Sequence, residues 1–311
     1  MAYKIPDLPS LGATEPEIVD FLEYKCLTSI AKSYSTTEVL SDLGISNEEG
    51  DEFDEVVEDS DSDSLMEQVS HRQRDMNGKY PFVISDNAIS YDSEAHSTMA
   101  YDVYSFLLLA TRSDMSGTGR TKNGIDGTKL FERLCALVLG NYFGHVENGF
   151  VFGTGREDGA TFERKMNDFI ERVQERNLEF QWPVHASRQQ KDAKVDVVTY
   201  IPFKDGNGGN FIAMGQCKTG TSWQTYVPAL VIEAFFVYTN RPTPVKPLPV
   251  FMVAESFSMN WEQYQAECHG LFFNRERIMQ YLPSEETIIS ADASLLDEIR
   301  TWNAGVLREI P

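Results

Sequence analysis

The stretch KDAKVDVVTYIPFKDGNGGNFIAMGQCKTG, residues 191–220, decides the fold. Two apolar, β-branched runs flank the glycine-rich turn DGNGG, whose glycines supply the positive φ angles that a hairpin turn needs. With the turn centred near Asn207, antiparallel pairing puts Asp196 opposite Lys218. Gln216 and Lys218 share a face, because side chains alternate with a period of two. The pattern predicts that these three polar side chains converge at one end of a hairpin, and a one-residue slip would separate them.

The chemistry of these side chains suits a divalent cation and a phosphate. The carboxylate of Asp196 and the amide carbonyl of Gln216 are hard oxygen ligands of the kind that Mg²⁺ takes. Lys218 adds a cation aimed at the same space. A second carboxylate from a neighbouring helix would complete the site, and Glu132 in GTKLFERLCALVLGNYFG, residues 127–144, is the candidate.

A purely structural interpretation stands beside this one. Asp196 and Lys218 would then form a cross-strand ion pair worth a few tenths of a kcal/mol. Gln216 would bond the edge of the sheet, and Glu132 would be a solvated acid on its helix.

The acidity of the chain is concentrated at one end. The 311 residues carry a formal net charge of −21, of which residues 1–100 contribute −16. Nucleic-acid binders usually carry a basic footprint, and only the nearly neutral remainder has room for a local basic groove. Residues 46–64, SNEEGDEFDEVVEDSDSDS, are interpreted as a solvated acidic loop or linker, because their like charges repel. A DNA-mimicking acidic strip is the alternative.

Other signals concern the location of the protein. No run of 18 apolar residues is present, so no transmembrane helix is expected. The first residues lack the basic and apolar segments of a secretory signal. The four cysteines are far apart in sequence and form no CxxC pair, which predicts buried, reduced thiols in a cytoplasmic protein.

The order of elements predicts a mixed α/β fold with an added helical N-terminal region. Residues 222–240, SWQTYVPALVIEAFFVYTN, are predicted to form a helix with Pro228 as a break or kink. Residues 261–282 also have a helical pattern. The predicted divisions are a helical segment (1–45), the acidic segment (46–64), a helical lead-in (65–126), a core (127–255) and C-terminal helices (256–311).

The motif VDVV, a turn and then GQCK resembles the core of the PD-(D/E)XK nuclease superfamily. It is most similar to the Mrr-like restriction endonuclease branch, where glutamine replaces the usual second acid and gives QxK. The FERL segment of residues 127–144 resembles the first core helix of that branch, which carries FExL near a glycine. The resemblance spans roughly residues 127–255 and leaves residues 1–100 and the C-terminal helices uncovered.

The resemblance implies a restriction-endonuclease-like core, with a mixed central sheet flanked by helices, and a metal-dependent nuclease. By that implication Asp196, Gln216 and Glu132 are ligands of Mg²⁺ or Mn²⁺. Glu132 would act directly or through water, and Lys218 matches the catalytic lysine.

Further residues are predicted to contact nucleic acid. Arg188 and Lys191 in RQQK, and Arg275 in NRERI, would meet backbone phosphates. Ser222 begins a predicted helix whose N-terminus would receive a phosphate. The alternatives are a solvated loop, a surface ion pair and an ordinary N-cap, respectively. Trp223 is predicted to be a core or cover residue, with base stacking as the alternative.

These observations lead to one functional prediction and two alternatives. The prediction is an Mg²⁺-dependent endonuclease of double-stranded DNA that acts in defence against foreign or phage DNA. It would be a homo-oligomer, with a protein partner of a defence system and without a membrane. The first alternative is a weak or inactive nuclease-fold module that binds a protein through its acidic N-terminal region. The second is an RNA nuclease.

Overall fold

The computed structural model describes residues 4–10, 12–44, 52–91, 98–153, 161–183, 194–257 and 260–309. The α-helices in these ranges are α1 (Glu15–Thr28), α2 (Thr36–Asp42), α3 (Glu52–Asp75), α4 (Thr98–Arg112), α5 (Gly127–Tyr142), α6 (Phe162–Val173), α7 (Ile232–Phe235), α8 (Trp261–Cys268), α9 (Arg275–Gln280), α10 (Glu285–Ala291) and α11 (Leu295–Arg308). The strands are β1 (Ser33–Ser35), β2 (Val83–Ser85), β3 (Ala88–Ser90), β4 (Thr121–Lys122), β5 (Ile125–Asp126), β6 (Phe150–Val151), β7 (Val197–Ile201), β8 (Phe211–Lys218), β9 (Leu248–Val253) and β10 (Leu271–Phe273). Short 3-10 helices span Val146–Asn148, Trp223–Ala229 and Phe236–Tyr238.

A five-stranded mixed sheet forms the centre, in the order β10-β9-β8-β7-β6. The strands β6, β7 and β8 form an antiparallel meander, whereas β9 and β10 run parallel to β8. Helix α5 packs on one face, where Leu134 shares a core with Val197 and Met252. Helix α6 packs on the other face, where Phe169 shares a core with Met214. The mixed α/β class predicted from the sequence is confirmed, with helices on both faces of the sheet.

The local sequence explains the bounds of α5. The helix begins after Asp126, whose Oδ1 accepts a hydrogen bond of 3.0 Å from Thr128 N. It ends before Gly144, whose φ of +74° is the left-handed conformation that closes many helices. Its apolar face is buried from Leu130 to Leu139, so Glu132 is carried along with that face towards the sheet.

The acidic segment is not a loop throughout. Residues 52–64 belong to α3, and residues 46–51 lie outside the described part of the chain. The C-terminal half of α3 is anchored by buried Leu65 and Val69 and by ion pairs from Arg72 to α1. Once these turns are fixed, each further residue adds a hydrogen bond without a new nucleation cost. The prediction of a loop considered only charge repulsion and is wrong for residues 52–64.

Two other elements differ from the prediction. The segment 222–240 is broken into a 3-10 helix containing Pro228, the short α7 and a second 3-10 helix, because proline removes a helical hydrogen bond. The segment 261–282 contains β10, which pairs with β9 at the edge of the sheet. Gly270 immediately precedes this strand. A Cβ atom at this position would lie 1.9 Å from the Pro249 carbonyl oxygen, so a larger residue would clash there. Among the described residues, no helix has the length and apolar character needed to cross a membrane.

Candidate metal and phosphate site

The hairpin pairs two residues away from the predicted register. Val197 pairs with Gly215, and the Asp196 backbone N donates to the Gly215 carbonyl at 2.8 Å. Extending this register puts Asp196 opposite Gln216, so the predicted pairing with Lys218 is wrong. Because the shift is two residues and side chains alternate with a period of two, all three side chains stay at the same end of the hairpin.

Backbone and side-chain hydrogen bonds fix Asp196 at the start of β7. Its carbonyl oxygen accepts from Phe152 N at 2.8 Å and from Gly153 N at 2.9 Å. Its side-chain Oδ2 accepts from the Cys217 backbone N at 2.8 Å. The carboxylate is 92% buried by this arrangement, since the residue is 8% exposed, and its orientation is set before any ligand arrives.

Glu132 approaches the same place from α5. A Cβ atom on Gly153 would stand 2.9 Å from Glu132 Oε2 and 3.0 Å from Asp196 Oδ1. The two carboxylates therefore face one small volume beside Gly153, which only glycine leaves open. Glu132 is 7% exposed, so the interpretation of a solvated helix acid is wrong.

Gln216, which lies opposite Asp196 in the extended register, is the candidate for a third oxygen. The residue is 4% exposed, and within the described chain no hydrogen-bond partner reaches its side-chain Oε1. A buried acceptor without a donor costs about 1–3 kcal/mol, so this atom indicates a place for a ligand. Two carboxylates and an amide oxygen form a hard donor set that fits Mg²⁺ or Mn²⁺. We call Glu132, Asp196 and Gln216 the candidate metal site.

The donor set has only two acids. In the described ranges no group of three or more His, Cys, Asp and Glu side chains could hold a metal ion. The candidate metal site agrees with this finding, because its third donor is an amide. Ions that keep several water ligands, as Mg²⁺ does, need only a few donors from the protein.

Lys218 is half-buried at the end of β8. Its Nζ lies 5.4 Å from the centroid of the Tyr226 ring. Among the ion pairs formed by the described residues, none includes Lys218, so the cross-strand pair with Asp196 is not formed. The ammonium lies over the Tyr226 ring without a carboxylate partner among the described residues.

Lys165 is a functional candidate that the sequence interpretation missed. It lies on α6, is 6% exposed and donates from Nζ to the Gly153 carbonyl at 2.8 Å. A buried ammonium thus stands beside the glycine that separates the two carboxylates. The sequence contains a signal for this burial, because helical spacing puts Lys165 on the same face of α6 as the apolar residues Phe162, Met166 and Phe169.

Two cysteines lie under the candidate metal site. The thiols of Cys135 on α5 and Cys217 on β8 hydrogen-bond to each other, and both residues are buried. Burial raises the pKa of both thiols, and the nearby carboxylates of Glu132 and Asp196 raise it further. These sulfurs remain neutral and belong to the packing, which agrees with the prediction of buried, reduced thiols.

The residues predicted to contact nucleic acid have different outcomes. Arg275 is fully buried and donates to Asp20 and to the Ala254 carbonyl, so its predicted phosphate contact is wrong. Ser222 is exposed at the N-cap position of a 3-10 helix, as expected, but its side chain makes no capping hydrogen bond. Trp223 is 1% exposed, which confirms a core residue and excludes base stacking. Arg188 and Lys191 lie outside the described residues.

A cavity of about 600 Å³ adjoins the loop that follows Lys218. Its lining is rich in hydroxyl side chains, contributed by Ser10, Ser113, Ser116, Thr219, Thr221 and Ser222. The Ser113 hydroxyl is buried and has no partner in the part of the chain that the structure describes. Hydroxyl groups and backbone amides are common contacts of nucleic-acid phosphates, so the cavity extends the polar surface beyond Lys218.

The chain matches no protein-family model, no curated protein and no solved structure. Function must therefore be argued from the chemistry of the residues that the fold brings together.

Proposed function

We propose that the protein is an endonuclease that hydrolyses phosphodiester bonds in DNA and depends on Mg²⁺ or Mn²⁺. The observation that carries the proposal is the buried Gln216 Oε1, to which no described group donates, at the hairpin end where Asp196 and Glu132 face one volume. Such a set of hard oxygen atoms is suited to a divalent cation.

The topology around these residues supports the proposal. Helix α5 leads into the meander β6-β7-β8, and a crossover leads to β9, parallel to β8. A mixed sheet of this kind, flanked by helices, is what the resemblance to PD-(D/E)XK nucleases implies. The QxK residues Gln216 and Lys218 lie at the end of the central strand β8, and Asp196 immediately precedes its antiparallel neighbour β7.

Each residue has a role in the proposed reaction. Asp196, Glu132 and Gln216 would hold the divalent ion, which supplies Lewis acidity at a scissile phosphate. Lys218 would donate to a phosphate oxygen and stabilise the negative charge that develops there. Lys165 is a positioning residue, because its bond to the Gly153 carbonyl keeps that glycine against the carboxylates.

The hydroxyl-lined cavity beside Lys218 supports a path for the substrate. It is bounded by the loop at residues 219–222 and by the N-terminal segment, which contributes Lys4, paired with Asp114, and Asp7. Gly220 N donates to the Ala110 carbonyl at the end of α4, so the N-terminal region borders this path. Double-stranded DNA, a role in defence against foreign DNA and a homo-oligomer are proposed from the resemblance alone, and the cytoplasm from the pattern of cysteines.

The first experiment is a cleavage assay with plasmid, linear double-stranded DNA, single-stranded DNA and RNA, with Mg²⁺, Mn²⁺ or a chelator. Low salt is included because phosphate contacts weaken with salt. We expect metal-dependent cutting of double-stranded DNA, reduced about 10²-fold or more in Lys218→Met through the loss of charge stabilisation. Lys204→Met is the matched control, because Lys204 is exposed near the opposite end of the same hairpin.

Other outcomes identify the alternatives. Cutting of RNA alone would favour the RNA nuclease. A folded protein that cuts nothing, while calorimetry shows Mn²⁺ binding that Lys218→Met keeps, would favour the interaction module. Absence of both cutting and metal binding would contradict the proposed site itself.

A further inference from the structure

A second polar cavity lies on the side of the N-terminal helices. It has a volume of about 550 Å³ and lies between α3 and the segment that leads from β9 into α8 and α9. Its lining combines arginine, carboxylate and aromatic side chains. The volume is in the range of small-molecule sites.

The carboxylate of Glu276 forms one wall of this cavity. The residue is 7% exposed, and the Ser256 hydroxyl donates to its Oε1. Arg72 Nε is 3.9 Å from the same Oε1. The other oxygen, Oε2, is buried and has no hydrogen-bond partner anywhere in the described ranges. A buried oxygen of this kind needs an N–H or O–H donor from a ligand.

Three arginines line the same cavity: Arg72, which is paired with Asp20 and Glu23, and Arg74 and Arg277. Neither Arg74 nor Arg277 forms an ion pair with any described carboxylate, although the chain carries a net charge of −21. Arg277 is held in place, since its Nη1 donates to the Phe272 carbonyl at 2.7 Å and its guanidinium covers Trp261 at 4.2 Å. The exposed Asp75 also lines the cavity. Guanidinium groups without a carboxylate partner suit a phosphate.

Aromatic side chains complete the lining. Phe257 and Trp261 are half-buried beside the cavity, with stacked rings whose centroids are 5.4 Å apart. Arg277 and Phe257 already contact the ring of Trp261, so the pair offers a ligand its remaining exposed apolar surface. An inorganic anion would satisfy the arginines and leave Glu276 Oε2 without a donor, so a ligand that carries both a phosphate and an N–H or O–H donor fits the cavity better.

We propose that this cavity binds a nucleoside monophosphate, with its phosphate at Arg74 and Arg277 and an N–H group of its base at Glu276 Oε2. The ring of the base lies against Phe257 and Trp261. The cavity is distinct from the candidate metal site, and the inference does not depend on nuclease activity. Its ligand would join α3 to α9, and therefore the N-terminal region to the part of the chain that supplies β10.

The test is calorimetric titration of the full chain, without DNA or metal, with the four ribonucleoside monophosphates, ribose 5-phosphate and inorganic phosphate. We expect saturable binding of at least one nucleotide, about tenfold or more tighter than ribose 5-phosphate, which lacks the base. Arg277→Gln should weaken nucleotide and ribose 5-phosphate alike, whereas Glu276→Gln should weaken only the nucleotide. Arg308→Gln, an exposed arginine at the end of α11, is the matched control and should change neither.

Circular dichroism and thermal unfolding of each variant establish that it is folded. The proposal is overturned if no nucleotide binds in the millimolar range, or if ribose 5-phosphate or phosphate binds as tightly as every nucleotide. It is also overturned if folded Arg277→Gln and Glu276→Gln bind the nucleotide as the wild type does. Because cleavage is not measured here, failure of the nuclease proposal would leave this test intact.

Discussion

Two groups of polar side chains lie at the same end of the central sheet, and they differ in the hydrogen-bond partners that the protein gives them. At the ends of β7 and β8, the candidate metal site gathers buried oxygens, and Gln216 Oε1 has no donor in the described chain. At the ends of β9 and β10, Arg275 and Asp20 are fully buried and bonded to each other. The first group is the proposed ligand site, whereas in the second group the charges of Asp20 and Arg275 neutralise each other.

The second group is a buried ion network, formed by Asp20, Glu23, Arg72, Arg112 and Arg275. Arg275 Nη1 and Arg112 Nε reach Asp20 at 2.7 and 2.8 Å, and Arg72 reaches Glu23 at 2.7 Å. Burial alone would raise the pKa of Asp20, but the three arginines keep it well below its usual range. The network links α1, α3 and α4 to α9, so it attaches the N-terminal region to the core.

The largest effect is expected from Asp196→Asn. Asparagine has the same shape and can still accept from Cys217 N, but it removes a charge from the candidate metal site. We expect cleavage to fall about 10³-fold, while the free energy of unfolding changes by less than about 1 kcal/mol. Asp205→Asn is the control, because Asp205 is exposed in the turn of the same hairpin. Loss of cleavage in both variants would contradict the assigned site.

A substitution in the ion network should reduce stability and leave cleavage unchanged. Arg275→Met leaves Asp20 buried with fewer partners, and breaking a buried pair costs about 3–5 kcal/mol of unfolding free energy. Urea unfolding measures this loss, with the exposed Arg308→Met expected within about 0.5 kcal/mol of wild type. Cleavage per folded molecule should be retained. A stable Arg275→Met protein that no longer cuts would instead show that the ion network also positions the candidate metal site.

The sequence predicted the candidate metal site because its signals are local. Alternation along β7 and β8 put Asp196, Gln216 and Lys218 at one end of the hairpin without knowledge of any other element. The register of the hairpin was harder to predict from the sequence. The pairing ends at Ile201 and Phe211, and a long connection lies between these residues. Packing and the bond from Phe203 N to Asn210 Oδ1 close that connection, and neither follows from the glycines alone.

The ion network could not be predicted in this way. Asp20 and Arg275 are far apart in sequence, and NRERI has the composition of an exposed, charged segment. Burial of a charge becomes favourable only when partners from distant elements surround it. The strand β10 was missed for a related reason, because three apolar residues are recognised as a strand only when β9 is beside them.

A smaller loss of activity is expected from Gly153→Ala. The new Cβ would stand 2.9 Å from Glu132 Oε2 and 3.0 Å from Asp196 Oδ1, so the carboxylates must separate. A displacement of about 1 Å can cost 10²-fold in rate. Calorimetry should show weaker Mn²⁺ binding in the same variant. Gly12→Ala, where a Cβ meets nothing within 4 Å, is the control; an unaffected Gly153→Ala enzyme would show that the two carboxylates act separately.

Glu255 lies between the two groups and provides a test by pH. Burial raises its pKa to about 7, although Arg112 and the Trp223 indole N–H oppose the shift. The pKa of Glu255 is therefore higher in the folded protein than its value of about 4.5 in the unfolded chain. Its contribution to the free energy of unfolding is fully present below about pH 4.5 and is lost as the pH rises through 7. We expect Glu255→Gln to be more stable than wild type at pH 8 by about 2 kcal/mol and to show a flatter profile.

Urea unfolding between about pH 5 and pH 8 measures this difference. Glu262→Gln on the exposed surface of α8 is the control and should follow the wild-type profile. If the free energy of unfolding of Glu255→Gln depended on pH as steeply as that of wild type, the pH dependence would belong to other titratable groups near the sheet.

The smallest effect is expected from Gln216→Met, which tests metal binding and stability separately. Gln216→Met removes a buried acceptor that meets no donor in the described chain, so the free energy of unfolding should rise by about 1 kcal/mol. Thr199→Val is the matched control on the same hairpin, because its buried hydroxyl also meets no described partner. Both variants should gain stability, but only Gln216→Met should lose metal-dependent cleavage. A gain in stability without loss of activity at Gln216 would place the metal ligands elsewhere, because Gln216 would then be an unsatisfied buried group of the same kind as Thr199.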